Sequence, residues 1–180
     1  KIKKNFQRET ASFCLLLCRI SCPIFFLSIQ KKKVPYVRAV HRLDKETSGV
    51  LVFSLNKKAE SSLGKQMREK KFTRRYIALV RGQIENQEIR SILVRDRGDG
   101  RRGSSLKDPD GELAVTHVKK IESLGDISVV ECELETGRTH QIRAHFQYIG
   151  HPLFNDKEYG GDRILKGTTS SSYKQFVENN

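Results

Sequence analysis

Between residues 41 and 161 the apolar and polar positions follow clear periods, and the elements can be read from them. Gly49–Leu55 (GVLVFSL) is almost continuously apolar, which predicts a short strand buried on both faces. Asn56 then offers a side-chain oxygen to the free N–H groups of a helix over Lys57–Lys70, with Ala59, Leu63 and Met67 on one face and Gly64 as its weak point. Thr73–Val80 (TRRYIALV) alternates, which places Tyr76, Ala78 and Val80 on one face of a strand and Arg75, Ile77 and Leu79 on the other. Ile89–Val94, Leu113–Ile121 and Ile127–Glu135 predict three more strands, and Thr139–Tyr148 carries the helical spacing of Ile142, His145 or Phe146, and Ile149. Arg95–Gly111 follows neither period, so its glycines and charges predict a long exposed loop. Strands outnumber helices and do not alternate with them. The pattern predicts an α+β domain built on a mainly antiparallel or mixed sheet with flanking helices.

The N-terminal third behaves differently. Phe13–Ile29 is an apolar run with neither a clean strand period nor a clean helix period, flanked by Lys1, Lys3, Lys4 and Arg8 on one side and Lys31–Lys33 on the other. It has about the length of a signal-peptide core or a marginal membrane span. Arg19 would cost about 2.5–3.5 kcal/mol at a bilayer centre and Pro23 interrupts it, so a membrane role is not expected. We read residues 1–33 as an atypical apolar and basic extension that contributes little to folding, and residues 34–180 as the folded domain. Cys14, Cys18 and Cys22 would line one helix face, but three thiols lack the fourth ligand of a zinc site. Cys132 sits in a strand pattern as a core thiol, and four cysteines make no disulfide framework. A reducing compartment, the cytoplasm, is the expectation.

Charge narrows the partners. The 180 residues carry 34 Lys and Arg against 21 Asp and Glu, a formal net charge of +13. Lys65–Arg102 holds twelve basic and five acidic residues, so the excess lies inside the folded part and marks an anion-binding face. Repeat, fibrous and low-complexity classes are excluded, because no heptad, solenoid period or Pro- or Gln-rich tract is present.

Two segments could carry chemistry. His41-Arg42-Leu43-Asp44-Lys45-Glu46-Thr47-Ser48-Gly49 leads into the first strand, where a carboxylate is held rigidly at a strand end and the hydroxyls and N–H groups of Thr47, Ser48 and Gly49 are in reach to orient it. Thr136-Gly137-Arg138-Thr139-His140-Gln141-Ile142-Arg143 opens a helix straight after a strand, a setting suited to a phosphate or a carboxylate partner. His140 and His145 are five apart, which does not match two metal ligands on one helix face, and His117 and His151 are isolated. No metal site is expected.

HRLDKETSGVLVF, RRYIALVRG and TGRTHQIRAHFQYIGHPLFNDKEYGG together resemble, in order and separation, the three signature regions of the RluA-like family of RNA pseudouridine synthases, over roughly His41–Gly161. The resemblance implies the pseudouridine synthase fold with a central catalytic cleft. Family members also have a Lys-Pro turn ahead of the first motif and a further apolar stretch after the third, so the fold is expected to be incomplete at both ends. By resemblance Asp44 is the nucleophile, Arg42 takes part in flipping the target nucleotide, Tyr76 stacks on the uracil, and Arg138 pairs with the catalytic carboxylate. The basic residues Arg74, Arg75, Arg101 and Arg102 are then expected to contact RNA phosphates. The implied activity is isomerisation of uridine to pseudouridine in structured RNA, ribosomal or transfer, with no cofactor and no obligate protein partner. The alternative is a catalytically inactive RNA-binding remnant of the same family.

Overall fold

A computed structural model of the chain describes residues 35–94 and 101–162 and the backbone of residues 13–19. The chain forms two compact units, Lys1–Phe72 and Thr73–Asn180. This division differs from the boundary expected at residue 34.

In the first unit, β1 (Phe13–Arg19), β2 (Arg38–Ala39) and β3 (Ser48–Ser54) form an antiparallel sheet in the order β1-β3-β2. β1 pairs along its whole length with β3, from Phe13 opposite Ser54 to Arg19 opposite Ser48. Residues 1–33 were expected to contribute little to folding, yet the backbone of residues 13–19 supplies a sheet strand. A run that is apolar at every position but its last hides a strand's alternation, and Cys14 and Cys18 belong to a strand rather than a helix face. Cys22 lies outside the described residues. β3 is half-exposed rather than buried on both faces, with Val52 and Ser54 inside and Val50 47% exposed. The helix α1 (Lys57–Arg68) is capped as expected, the Asn56 Oδ1 accepting from the Ala59 N–H at 2.8 Å.

The second unit is a five-stranded antiparallel sheet in the order β4-β8-β7-β5-β6. Its strands are β4 (Arg74–Arg81), β5 (Gln87–Val94), β6 (Gly103–Ser105), β7 (Glu112–Leu124) and β8 (Ile127–Leu134). β6, paired with β5 between Ile92–Ser105 and Val94–Gly103, falls inside the stretch expected to be loop. Three residues of Gly and Ser carry no hydrophobic period, which is why pattern reading passed over them. Residues 95–100 of that loop lie outside the described residues. β4 matches its expected alternation: Ala78 and Val80 are buried, while Ile77 is 62% exposed.

One helix, α2 (Gln141–Tyr148), packs on β5, β6 and β7. Its Phe146 joins Ala78, Val80, Ile84, Ile89, Val118, Val130 and Cys132 in the main core, and Ala144 joins Leu93, Ala114 and Tyr159 in a second cluster. Each large apolar side chain so buried contributes roughly 1.5–3 kcal/mol. Burial also pushes the Cys132 thiol up to about 12, so it stays a neutral core group. After α2 the chain folds back on itself: the Gly161 N–H donates to Asp156 O at 2.7 Å, and a Cβ at residue 161 would stand 1.7 Å from Leu153 O. Only glycine permits that closure.

The pairing of β1 with β3 predicts that a chain starting at Val34 exchanges the Ser48–Ser54 amides faster than the full chain, by hydrogen exchange read with mass spectrometry. Equal protection in both would return residues 1–33 to the status of an extension.

Candidate active site

Asp44 stands in the link between β2 and β3, half-buried, next to the buried Leu43. Two interactions fix that link. Val40 N–H donates to Val52 O at 2.8 Å, and the Val52 N–H donates to His41 Nε2 at 3.2 Å, so the imidazole takes the place of a carbonyl in the ladder. The Thr47 N–H donates to the carbonyl of Asp44 at 2.9 Å, closing a turn, and is therefore not available to the carboxylate as the sequence suggested. Among the described residues the Asp44 carboxylate has no hydrogen-bond or ion-pair partner. Arg42 is exposed on the same link.

In the second unit the turn Thr136-Gly137-Arg138 is held from below by one side chain. Gln141, 2% exposed, accepts on Oε1 from Arg138 N–H at 3.0 Å and from Thr136 Oγ1 at 2.8 Å. Its Nε2 donates to Val115 O and to Thr116 Oγ1, both at 2.9 Å. Both ends of the carboxamide are thus engaged, and the turn is pinned to β7. Thr136 Oγ1 in addition accepts from Val115 N–H at 3.0 Å. The Arg138 guanidinium points away from this clamp, pairing through Nη1 with Glu112 Oε1 at 2.8 Å and reaching Leu113 O through Nε at 3.4 Å. Arg102 approaches the other oxygen of Glu112, Nη1 to Oε2 at 3.9 Å.

Arg74 and Tyr76 share one face of β4. The Arg74 guanidinium lies over Gly137, where an added Cβ would come within 1.8 Å of Nη1, and its Nη2 donates to Glu135 O at 3.5 Å. A side chain at 137 would therefore displace the end of the Arg74 side chain, not any backbone. Tyr76 is half-buried against the main core. Arg75 points to the opposite face and pairs with Glu133 at 2.8 Å, because neighbouring strand residues alternate. Of the arginines expected to contact RNA, the structure therefore groups Arg74 and Arg102 about the Arg138 turn and sets Arg75 on the other side of the sheet. Arg101 is exposed beside Arg102.

Sequence reasoning passed over a second cluster. Arg143 makes a two-pronged pair with Asp156, both bonds 2.7 Å, adds Glu158 at 2.7 Å, and lies 4.5 Å from the centre of the Tyr159 ring. Burial alone would raise the Asp156 carboxyl, but the Arg143 hydrogen bonds and charge outweigh it and hold it below the usual range. The Tyr159 oxygen accepts from Arg102 N–H at 2.8 Å and stands 3.0 Å from His140 Nδ1. His140 itself has φ of 55°, a left-handed conformation that costs on the order of 1 kcal/mol outside glycine and is held here by Tyr159 and by Arg143. The available signal was Arg143 itself, the one Arg or Lys in the helix Gln141–Tyr148.

Two histidines also differ from their isolated look. His117 stands between Glu88, 3.6 Å from Nδ1, and Glu135, 2.7 Å from Nε2. One ring nitrogen and one oxygen from each carboxylate lie within 4.8 Å of one another, a spacing common among exposed acidic groups without an ion. His145 is fully buried, with Nδ1 2.9 Å from Thr116 Oγ1 and Nε2 without a partner. Burial lowers its pKa to about 4. No helix among the described residues is long and apolar enough to cross a membrane.

Comparison with known proteins gives this arrangement its class. Residues 25–148 match the family model described as RNA pseudouridylate synthase. That span exceeds half the chain, and the chain belongs to this family, in its RluA-like branch. It is 47% identical over 128 residues to the uncharacterized RNA pseudouridine synthase YlyB of Bacillus subtilis (strain 168), covering 70% of this chain and 42% of that protein. It is 41% identical over 138 residues to ribosomal large subunit pseudouridine synthase D of Neisseria meningitidis serogroup B, covering 76% of this chain and 37% of that one. The solved structure of human RNA pseudouridylate synthase domain containing 1 superposes with a TM-score of 0.71 at 28% identity, over 87% of this chain and 71% of that one. The chain thus spans about two fifths of the length of the curated relatives it matches.

Two outcomes follow from the buried groups. Gln141→Leu takes the acceptor from the Arg138 N–H and the Thr136 hydroxyl and one donor each from Val115 O and Thr116 Oγ1, and should cost about 2–4 kcal/mol in urea unfolding. For His145, the unfolded ring takes up its proton near pH 6.5 and the folded ring only near pH 4. Its contribution is complete above pH 6.5 and is lost as pH falls toward 4, by roughly 3 kcal/mol. Unfolding free energies measured across that interval should fall less steeply in His145→Gln.

Proposed function

We propose that this chain isomerises uridine to pseudouridine in structured RNA, ribosomal or transfer, with Asp44 as nucleophile. The observation that supports it most directly is the Asp44 carboxylate itself, set on a braced link at the head of β3 and unclaimed by any partner among the described residues. A carboxylate meant only to hold the link would be expected to bond the N–H groups around it; this one is left for a substrate. The family match supports the reaction, and the ribosomal names of relatives such as synthase D of Neisseria meningitidis support ribosomal RNA as the first substrate to try.

The chemistry needs no external group. The bond from C1′ to N1 of the uracil breaks, the base turns in place, and C1′ bonds to C5. The C5 hydrogen leaves to solvent and N1 takes up a proton, so atoms balance within the nucleotide. Asp44 acts either by attack at the ribose or by removing a sugar proton. The target has to leave its stack first, at a few kcal/mol, and Arg42 as wedge and Tyr76 as stacking surface serve that step. The family resemblance assigns to Arg138 the positive charge that keeps the nucleophile ionised, a role for which it has to leave Glu112, its partner at 2.8 Å.

Asp44→Asn should bind structured RNA as the parent does and form no pseudouridine, read by mapping modified positions in treated ribosomal transcripts. Normal modification by that variant would remove Asp44 from the mechanism. Arg138→Gln should lower turnover with the fold intact, whereas Arg143→Lys should chiefly lower stability, since it loosens a buried two-pronged pair. Normal turnover in Arg138→Gln beside a folded but inactive Arg143→Lys would transfer the charge role to Arg143.

A further inference from the structure

The ladder between β2 and β3 stops sooner than its register requires. Arg38 lies opposite Ser54 and Ala39 opposite Phe53, and the same register carried on would set Val40 opposite Val52, His41 opposite Leu51 and Asp44 opposite Ser48. Facing residues in an antiparallel ladder alternate between pairs that exchange two bonds and pairs that exchange none. At Val40 only half of such an exchange is made. Its N–H donates to Val52 O at 2.8 Å, but the returning Val52 N–H goes to His41 Nε2 at 3.2 Å. The imidazole stands in for the Val40 carbonyl, and the pairing ends there, while β3 runs its full length against β1 on its other edge. Residues 41–47 are thereby released as the link that carries Asp44. Two further contacts hold this link: Leu43 is buried, and the Thr47 N–H closes the turn on the Asp44 carbonyl at 2.9 Å. His41 is its entry and Thr47 its exit. Val52 is buried too, so without the imidazole its N–H would be a buried donor with no acceptor.

We propose that His41 is a positioning residue of the isomerisation: by accepting from the Val52 N–H in place of the Val40 carbonyl, its imidazole ends the ladder and holds the link from which Asp44 presents its carboxylate. The assignment rests on the isomerase reading, with Asp44 as nucleophile. A carbonyl in the same place would keep the chain extended beside β3, with Asp44 fixed in the ladder opposite Ser48. A side chain without an acceptor would leave the Val52 N–H unpaired and the link with one anchor fewer. The bond also fixes the state of the ring. Nε2 accepts, so its lone pair is free, the imidazole is neutral and the proton sits on Nδ1. His41 thus acts on the reaction through the backbone, not by contact with the substrate.

Two variants separate the acceptor from the packing. His41→Gln places an amide oxygen at the same reach from Cβ as Nε2, whereas His41→Phe keeps a flat ring and offers no acceptor. His41→Gln should turn over ribosomal transcripts much as the parent does. His41→Phe should lose roughly ten- to a hundredfold in kcat with KM for RNA little changed, the loss expected of a nucleophile displaced by about an ångström. Equal kcat in the two variants, high or low, would overturn the proposal. Two further readings need no turnover. In nitrogen NMR of the parent chain in mildly alkaline buffer, His41 Nδ1 should carry the proton and a scalar coupling should join Nε2 to the Val52 amide nitrogen; a proton on Nε2 would overturn it. In amide exchange, His41→Phe should speed Thr47 as well as Val52, with α1 protected as in the parent. Faster exchange at Val52 alone would overturn the proposal, because the imidazole would then close the ladder without holding the link. A parent chain that forms no pseudouridine refutes the isomerase reading separately, and the tautomer and the Thr47 exchange still decide whether His41 holds the link.

Discussion

The carboxamide of Gln141 is the joint on which the second unit's chemistry depends. It is buried, and its bonds run to β7 on one side and to the Thr136–Arg138 turn on the other. A turn between a strand and a helix is ordinarily the softest part of such a unit, with backbone groups left to water. Here a side chain from the first turn of α2 satisfies them internally. Arg138 therefore projects from a fixed backbone, and what remains adjustable is its guanidinium and the partners it chooses.

Those partners are arranged by charge. On one side of the turn Arg138 and Arg102 share Glu112 while Arg74 has no ion pair among the described residues; on the other, Arg143 is saturated by Asp156 and Glu158. The two clusters touch through Tyr159, whose hydroxyl takes the Arg102 backbone N–H and whose ring lies beneath Arg143. One arginine set is neutralised and closed, and the other is under-neutralised and partly open. Buried pairs such as Arg143–Asp156 fix geometry at the expense of desolvation, while an under-neutralised exposed set attracts a polyanion and releases its counter-ions.

Much of this was legible in the sequence. The alternation in TRRYIALV fixed the faces of β4, Asn56 marked the start of α1, and the three motifs named the family before any coordinates. What was not legible shared a physical cause. β1 is apolar at every position before Arg19 and β6 is all Gly and Ser, so neither has a period to read. The division near Phe72 follows contact density, which composition does not record. At the site, pairings such as Arg138 with Glu112 and His117 with Glu88 join residues 26 and 29 positions apart, on separate elements, and follow from register alone. The opposite orientation of Arg74 and Arg75 was legible from alternation, yet grouping them by charge density obscured it.

The isomerisation of uridine exchanges the C5–H bond for a C5–C1′ bond, so the C5 hydrogen must leave whichever route the nucleophile takes. Release of tritium into water from ribosomal and transfer RNA carrying 5-tritiated uridine therefore reads the central claim directly. The account predicts release that rises with protein concentration and stops when the target positions are exhausted, matched by the pseudouridine formed. RNA that binds with the expected salt dependence yet releases no tritium would contradict it, and would identify the chain as an RNA-binding member of the family without catalysis.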